Sequence, residues 1–375
     1  MIYYLLFFFD CFLIEYYRKH NKRIALFFIV ALYFFLCFGY MTGSDWREYE
    51  MYYTGLAESS HATKGDLGYV WLSGFFVKFI PDFWLFTAIF KIFYLVVFTK
   101  FIQLFQNNAY YVIGFAFTGS VLFMLIDCPL RFMIAMSFAL LGIILWFKEK
   151  RILSLIPLLI APTMHMAIFF VILIFATFPI SKLFSKTNRV LIFGVYILML
   201  YVAFKTPVFT YIFENIIPFF GTERYESYEE AETAKLVSLG TLKYTLLLLI
   251  LLSFRDIIVN KEKGHIVYYF AVLSILFQPL LMCIPTAFRI NILSDSFMWI
   301  ALASIYADVN KSSFVQAFRV FIIVFCLVFI SRDCITNWRY TPYSNSFTHI
   351  ITGNHPSYSI RSSYNPIHHD DEFWH

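Results

Sequence analysis

Residues Asp127–Phe147 read D-C-P-L-R-F-M-I-A-M-S-F-A-L-L-G-I-I-L-W-F, and K-E-K-R follows at 148–151. From Phe132 to Phe147 no residue is charged, the pattern of a helix that crosses a bilayer. Arg131 opens this span, and Lys148, Lys150 and Arg151 close it. Basic residues collect in cytoplasmic loops, so the cluster marks the inner end and Arg131 the outer one. The apolar run that follows, to Phe178, contains Pro157, Pro162 and His165. It is too long for one straight span, and Lys182, Lys186 and Arg189 make its far flank basic as well. Same-side flanks demand an even number of crossings. A hairpin of two short helices, 152–162 and 165–180, with His165 at the outer turn, meets that demand. An arginine and a histidine at one edge of a bilayer are costly, which makes them candidates for function.

The same alternation extends outward from this stretch. Residues 2–17 form an uncleaved first span, since they lack a basic leader and a small-residue cleavage site. Arg18, Lys19, Lys22 and Arg23 put the next loop in the cytoplasm. Span 24–41 returns to the outside, where 42–66 is an acidic loop. Residues 67–80 are apolar but short, and counting them as a crossing would invert the charge rule downstream, so they are expected to be interfacial or re-entrant. Further spans fall at 83–104, 110–126, 190–204, 241–254, 266–283, 290–307 and 314–331, with an acidic outer loop at 205–240. The expected fold is an all-α polytopic integral membrane protein of roughly 10–12 crossings. Residues 1–331 would form a single transmembrane domain and 332–375 a polar extracytoplasmic tail.

Composition agrees. The chain has 375 residues, 60% hydrophobic and 14% charged, whereas a soluble chain is about a quarter charged. The net charge of +5 lies mostly in short loops, so it reports topology and no nucleic-acid partner. The six cysteines show no C-x-x-C spacing and read as small hydrophobes. The terminal H-H-D-D-E-F-W-H has no second cluster to complete a metal geometry. There is no Gly-rich phosphate loop and no G-x-S-x-G elbow. No cofactor is called for.

The inferred topology brings Asp45, Arg47, Asp127, Arg131, His165, Arg224 and Arg289 to the outer face. Arginine presents a planar, permanently charged fork suited to phosphate oxygens. Several arginines there suggest a lipid-linked phosphate or pyrophosphate, its headgroup at the interface and its tail between helices. Each residue has a plainer reading too. Arg131 and Arg289 would simply snorkel, Arg224 would make a surface ion pair, His165 would tie the hairpin, and Asp45 would cap a helix. As a site, Arg131, Arg289 and Arg224 hold the anion. His165 or Asp45 serves an acceptor hydroxyl as base or orienting group, and the residues leave that choice open.

The motifs G-S-D-W-R-E-Y (43–49), G-D-L-G-Y-V-W-L (65–72), L-R-F-M-I-A (130–135), the basic cluster with its His-bearing hairpin, E-R-Y (223–225) and T-P-Y (341–343) run through the chain in this order. Together they resemble the EpsG family of exopolysaccharide proteins, which overlaps the Wzy-type O-antigen and capsule polymerases. Phe132 stands where the family usually has Gln, so no role for that amide carries over. The resemblance implies a GT-C-like membrane glycosyltransferase of the bacterial cytoplasmic membrane, its site facing the exterior. It would join undecaprenyl-pyrophosphate-linked oligosaccharides into O-antigen, capsule or exopolysaccharide without a metal. It also implies roles in binding for Arg47, Arg224 and Tyr225, and a chain-length regulator as a candidate protein partner. The alternatives are an O-antigen ligase, a polyprenyl-phosphate-sugar transferase and, from another class, a lipid-linked oligosaccharide flippase. Transporters often show internal repeats and midplane charges, and neither is read in this sequence.

Overall fold

A bilayer offers backbone N–H and C=O groups no partner, so long apolar runs fold as helices. The computed structural model describes residues 1–43, 45–55, 66–205, 239–283, 288–308, 313–337, 339–340 and 343–362. It contains α1 (Ile2–His20), α2 (Lys22–Cys37), β1 (Gly39–Tyr40), α3 (Trp46–Tyr53), α4 (Leu67–Phe76) and α5 (Phe83–Gln103). After α6 (Ala109–Ala116), α7 (Ser120–Leu122) and a π turn at Phe123–Asp127 come α8 (Leu130–Phe147), α9 (Arg151–Met164) and α10 (Ala167–Ala176). A 3-10 turn, Phe178–Ile180, leads to α11 (Ser181–Phe184), α12 (Arg189–Lys205), α13 (Leu239–Ser253) and α14 (Arg255–Val259). The chain continues with α15 (Gly264–Cys283), α16 (Phe288–Tyr306) and α17 (Ser313–Thr336). It then forms β2 (Ser344–Asn345), α18 (Phe347–Thr352) and α19 (Tyr358–Ser362).

Among the described residues, four segments are long and apolar enough to cross a membrane: Phe83–Gln103, Leu130–Phe147, Ala167–Phe184 and Ser313–Thr336. The protein is thus an all-α polytopic membrane protein, as the sequence predicts. The span expected at 110–126 is not straight. Ala109–Ala116 and Ser120–Asp127 are bent by 83° and count as a fifth crossing only if taken as one broken span. Thr118-Gly119-Ser120 interrupts the run, and the Thr118 hydroxyl donates to the Phe115 carbonyl at 2.9 Å. Glycine is a poor helix former, and a backbone-bonding threonine ends the ladder locally.

Contacts divide the chain into two compact units, Met1–Phe169 with Lys311–His375, and Phe170–Asn310. In the first, α1 packs on α2 and α6, α5 on α8, and α8 on α9. Asn21 turns α1 into α2, its side chain accepting from the Arg23 and Ile24 N–H groups at 3.0 and 3.3 Å. Asp82 caps α5 by accepting from the Leu85 N–H at 2.8 Å. Pro157 and Pro162 are carried inside α9, which ends only at His165, where the backbone is extended. The expected break therefore falls at the histidine and not at the prolines, and from Phe170 the second arm belongs to the other unit. Late in the chain, β2 pairs antiparallel with β1, Gly39 opposite Asn345 and Tyr40 opposite Ser344.

In the second unit, α15 and α16 form the principal pair, with α12 and α13 against α15. Stacked rings join it, Phe270 lying 5.4 Å from Phe175 and 4.9 Å from Phe297. Asn291 donates to the Ser274 carbonyl at 3.0 Å, and Trp299 to Asp295 at 2.9 Å.

Candidate functional site

Two turns of the first unit meet end on. One runs through Met41 and Gly43, the other through Asp127 and Cys128. Met41 and Cys128 adopt φ values of 56° and 53°, a left-handed backbone that is costly outside glycine and clusters at functional sites. Gly43, at φ 81°, lies so close to the Asp127 carbonyl that a Cβ would collide with it. Its N–H donates to the Arg339 carbonyl at 2.9 Å, and Arg339 Nη1 donates to Asp127 Oδ2 at 3.1 Å. Where these turns approach α3 and α5 lies a cavity of about 10 Å³, lined by Thr42, Trp46, Tyr49, Trp84, Thr87, Lys91 and Cys128 among others.

Arg131 stands at the start of α8 with 9% of its surface exposed. Its Nη1 donates to Asp66 Oδ2 at 2.6 Å and its Nε to the Tyr49 hydroxyl at 3.1 Å. The guanidinium also lies 5.7 Å from the centre of the Tyr49 ring. Tyr49 is itself a cavity wall, so it couples Arg131 to the cavity. Asp66 is brought there by α4, which packs on α9 at Gly68; a Cβ on Gly68 would clash with Thr163.

His165 follows Met164 as the cap of α9. Its Nδ1 accepts from the Ala167 N–H at 3.2 Å, so the neutral ring carries its proton on Nε2. The ring meets Phe132, the neighbour of Arg131, edge-on at 5.4 Å. His165 therefore packs on α8 at the residue that follows Arg131. Asp45 is half-buried at the start of α3, and its charge reaches the Cys128 thiol. Burial pushes that thiol up to about 11. Arg47 lies over the Trp46 ring at 5.0 Å, and burial moves its guanidinium below the ordinary value. Arg289 belongs to the second unit, where its buried Nε has no hydrogen-bond partner among the described residues. Arg224 and Tyr225 lie outside the described residues.

Sequence reasoning missed several residues of this region. Lys91, in the middle of α5, is 2% exposed and lines the cavity. A lone lysine within an apolar span was a readable signal. Two other cations and a histidine join this region from late in the chain. Besides Arg339, Arg361 pairs with Glu50, which also accepts from Trp84 Nε1 at 3.2 Å. His355 sits between Asp82 Oδ2 at 2.8 Å and the Tyr40 hydroxyl at 3.2 Å. Donating from Nε2 to Asp82 leaves its Nδ1 to accept from Tyr40. No local sequence signal reveals these partners, which lie hundreds of positions away.

The fold and site define a polytopic membrane protein with buried charged side chains in and near a small cavity. Such groups inside a membrane protein mark function more often than architecture. The chain belongs to the EpsG family, whose model matches residues 2–345. Membership places it in polysaccharide biosynthesis, in a polymerase-like role. No curated protein and no solved structure matches the chain.

Proposed function

We propose that the protein polymerises oligosaccharide units carried on undecaprenyl pyrophosphate at the outer face of the bacterial cytoplasmic membrane, using a GT-C-like arrangement. The anomeric carbon of the donor glycan forms a bond to a hydroxyl oxygen of the acceptor unit. Its bond to the pyrophosphate oxygen breaks, and the lipid pyrophosphate leaves with the electron pair. The hydroxyl proton passes to a base. Pyrophosphate is a competent leaving group, so the protein chiefly supplies cations for it and a base for the acceptor.

The observation that carries this reading is the setting of Arg131 within a chain of this family. Asp66 and Tyr49 fix the guanidinium through Nη1 and Nε, while its Nη2 makes no hydrogen bond among the described residues. A guanidinium held by two partners with one arm free suits a phosphate oxygen. His165, with Nδ1 already accepting a hydrogen bond, is suited to donate from Nε2 to a sugar or phosphate oxygen. That favours Asp45 as the base. Arg47 and Arg289, with Arg224 and Tyr225, are the further binding residues of this reading, and a chain-length regulator its candidate protein partner.

The test is the glycan profile of cells carrying Arg131→Ala or Arg289→Ala, with insertion checked by membrane fractionation. Polymerase loss leaves a single repeat on the acceptor, whereas ligase loss leaves none. Normal-length polymer from both variants would overturn the phosphate-site reading.

A further inference from the structure

The cavity beside Tyr49 has an unusual lining. Lys91, Trp46 and Thr87 all border it. Trp46 Nε1 and Thr87 Oγ1 are buried with no hydrogen-bond partner among the described residues. Lys91 forms neither a hydrogen bond nor an ion pair among them, although only 2% of it is exposed. Thr87 and Lys91 are four residues apart on α5 and so share one helix face. Trp46 faces them from α3. The Lys91 ammonium lies beside Gly39, near enough that its charge acts on the Cys37 and Cys128 thiols.

Three buried carboxylates of the first unit are paired with other cations. Asp66 holds Arg131, Asp127 holds Arg339, and Glu50 holds Arg361 and Trp84. A buried ammonium without a counter-ion is expensive, and a buried N–H or O–H without an acceptor adds to the cost. Lysine and tryptophan side chains can only donate. The missing partner must therefore accept hydrogen bonds and carry negative charge. A cavity of about 10 Å³ has room for roughly one oxygen-sized atom. A water would satisfy the donors but would leave the ammonium uncompensated.

We infer that Lys91, Trp46 and Thr87 form a pocket for a single anionic oxygen, and that its ligand is a non-bridging oxygen of a phosphate group. That the phosphate arrives on a lipid-linked glycan rests on the polymerase reading; the pocket itself does not. On that reading Lys91 is a phosphate ligand in the cavity that Tyr49 lines, and Tyr49 also meets Arg131. The two cations then hold different oxygens of one headgroup.

The test uses the purified full chain in detergent, with thermal unfolding read at increasing inorganic pyrophosphate, undecaprenyl pyrophosphate or sodium chloride. Wild type is expected to gain stability with at least one phosphate probe and not with chloride at equal ionic strength. Binding only of undecaprenyl pyrophosphate assigns the site to a lipid headgroup; binding of inorganic pyrophosphate as well admits free phosphate. Lys91→Met is expected to weaken the binding at least tenfold, and Thr87→Val and Trp46→Phe to weaken it less. Without any probe, Lys91→Met should unfold at a higher temperature than wild type, because it removes an uncompensated buried charge. A purely structural lysine would give the opposite shift. Equal stabilisation by chloride, unchanged pyrophosphate binding in Lys91→Met, or a less stable Lys91→Met each overturns the pocket. If Lys91→Met loses phosphate binding yet cells carrying it make full-length glycan, the pocket stands and the polymerase assignment of its ligand falls.

Discussion

The Arg131–Asp66 pair separates a structural arginine from a functional one. Both residues are buried, at 9% and 5% exposure, and their atoms lie 2.6 Å apart. Removing one member of such a pair strands the other in low dielectric and costs about 3–5 kcal/mol. Removing both and filling the space with apolar atoms is about neutral for stability, apart from roughly 1 kcal/mol for the donor lost to the Tyr49 hydroxyl. Arg131→Met and Asp66→Leu should therefore each lower thermal stability in detergent sharply, and the double variant should recover most of the loss. The glycan profile then gives a different pattern. If Arg131 serves only to hold α4 against α8, the stable double variant also recovers long polymer. If Arg131 meets a phosphate, the double variant folds but makes a single repeat. A double variant as unstable as either single one would refute the ion-pair energetics, and one making long polymer would refute the functional role.

Gly43→Ala combines a strained φ of 81° with a Cβ aimed at the Asp127 carbonyl, whereas Gly55→Ala has φ 72° and open space around it. The second should cost about 1 kcal/mol from strain alone and the first clearly more; equal losses of folded yield would remove the close approach as the reason for Gly43. The Cys128 thiol, raised by burial to about 11 from an ordinary 9.0, favours the folded state while neutral. That contribution is fully present below the ordinary value and is lost as pH rises through about 11. Cys128→Ala should flatten this alkaline limb of a pH–stability curve measured in detergent, and an unchanged limb would assign it to another group.

The helices were legible wherever an apolar run ended in charge. Arg131 and Lys148–Arg151 bracket α8 in sequence as they do in structure. The bend inside 109–127 was not legible, because Thr118-Gly119-Ser120 carries neither a charge nor a proline to announce it. Topology alone put Arg131 and His165 on one face of the membrane, and in the structure the His165 ring meets Phe132, the residue that follows Arg131. What holds Arg131 did not follow. Asp66 stands in G-D-L-G-Y-V-W-L (65–72), but only the packing of α4 on α9 turns it toward α8. Lys91 stands out little in sequence, since one charge barely lowers the apolar character of a 21-residue run.

The end of the chain carries the hardest lesson about what a polar composition means. Residues 343–362 lie within the polar segment 332–375 that the sequence reads as an extracytoplasmic tail, and there Ser344 pairs with Tyr40, His355 with Asp82, and Arg361 with Glu50. Glu50 and Arg361 are both nearly inaccessible, and neither charge is tolerable there alone. Glu50 in turn accepts from Trp84, a wall of the cavity. A chain that kept Glu50 but lacked Arg361 would bury a lone carboxylate next to that wall, and would either protonate it or let water in. The family match ends at residue 345, so the cation that neutralises Glu50 comes from beyond it. Part of this site's charge balance is therefore set by a segment that the family pattern does not describe. Transferring Glu50 or Trp84 into a related chain without residues 346–362 should carry over the side chains but not their electrostatics.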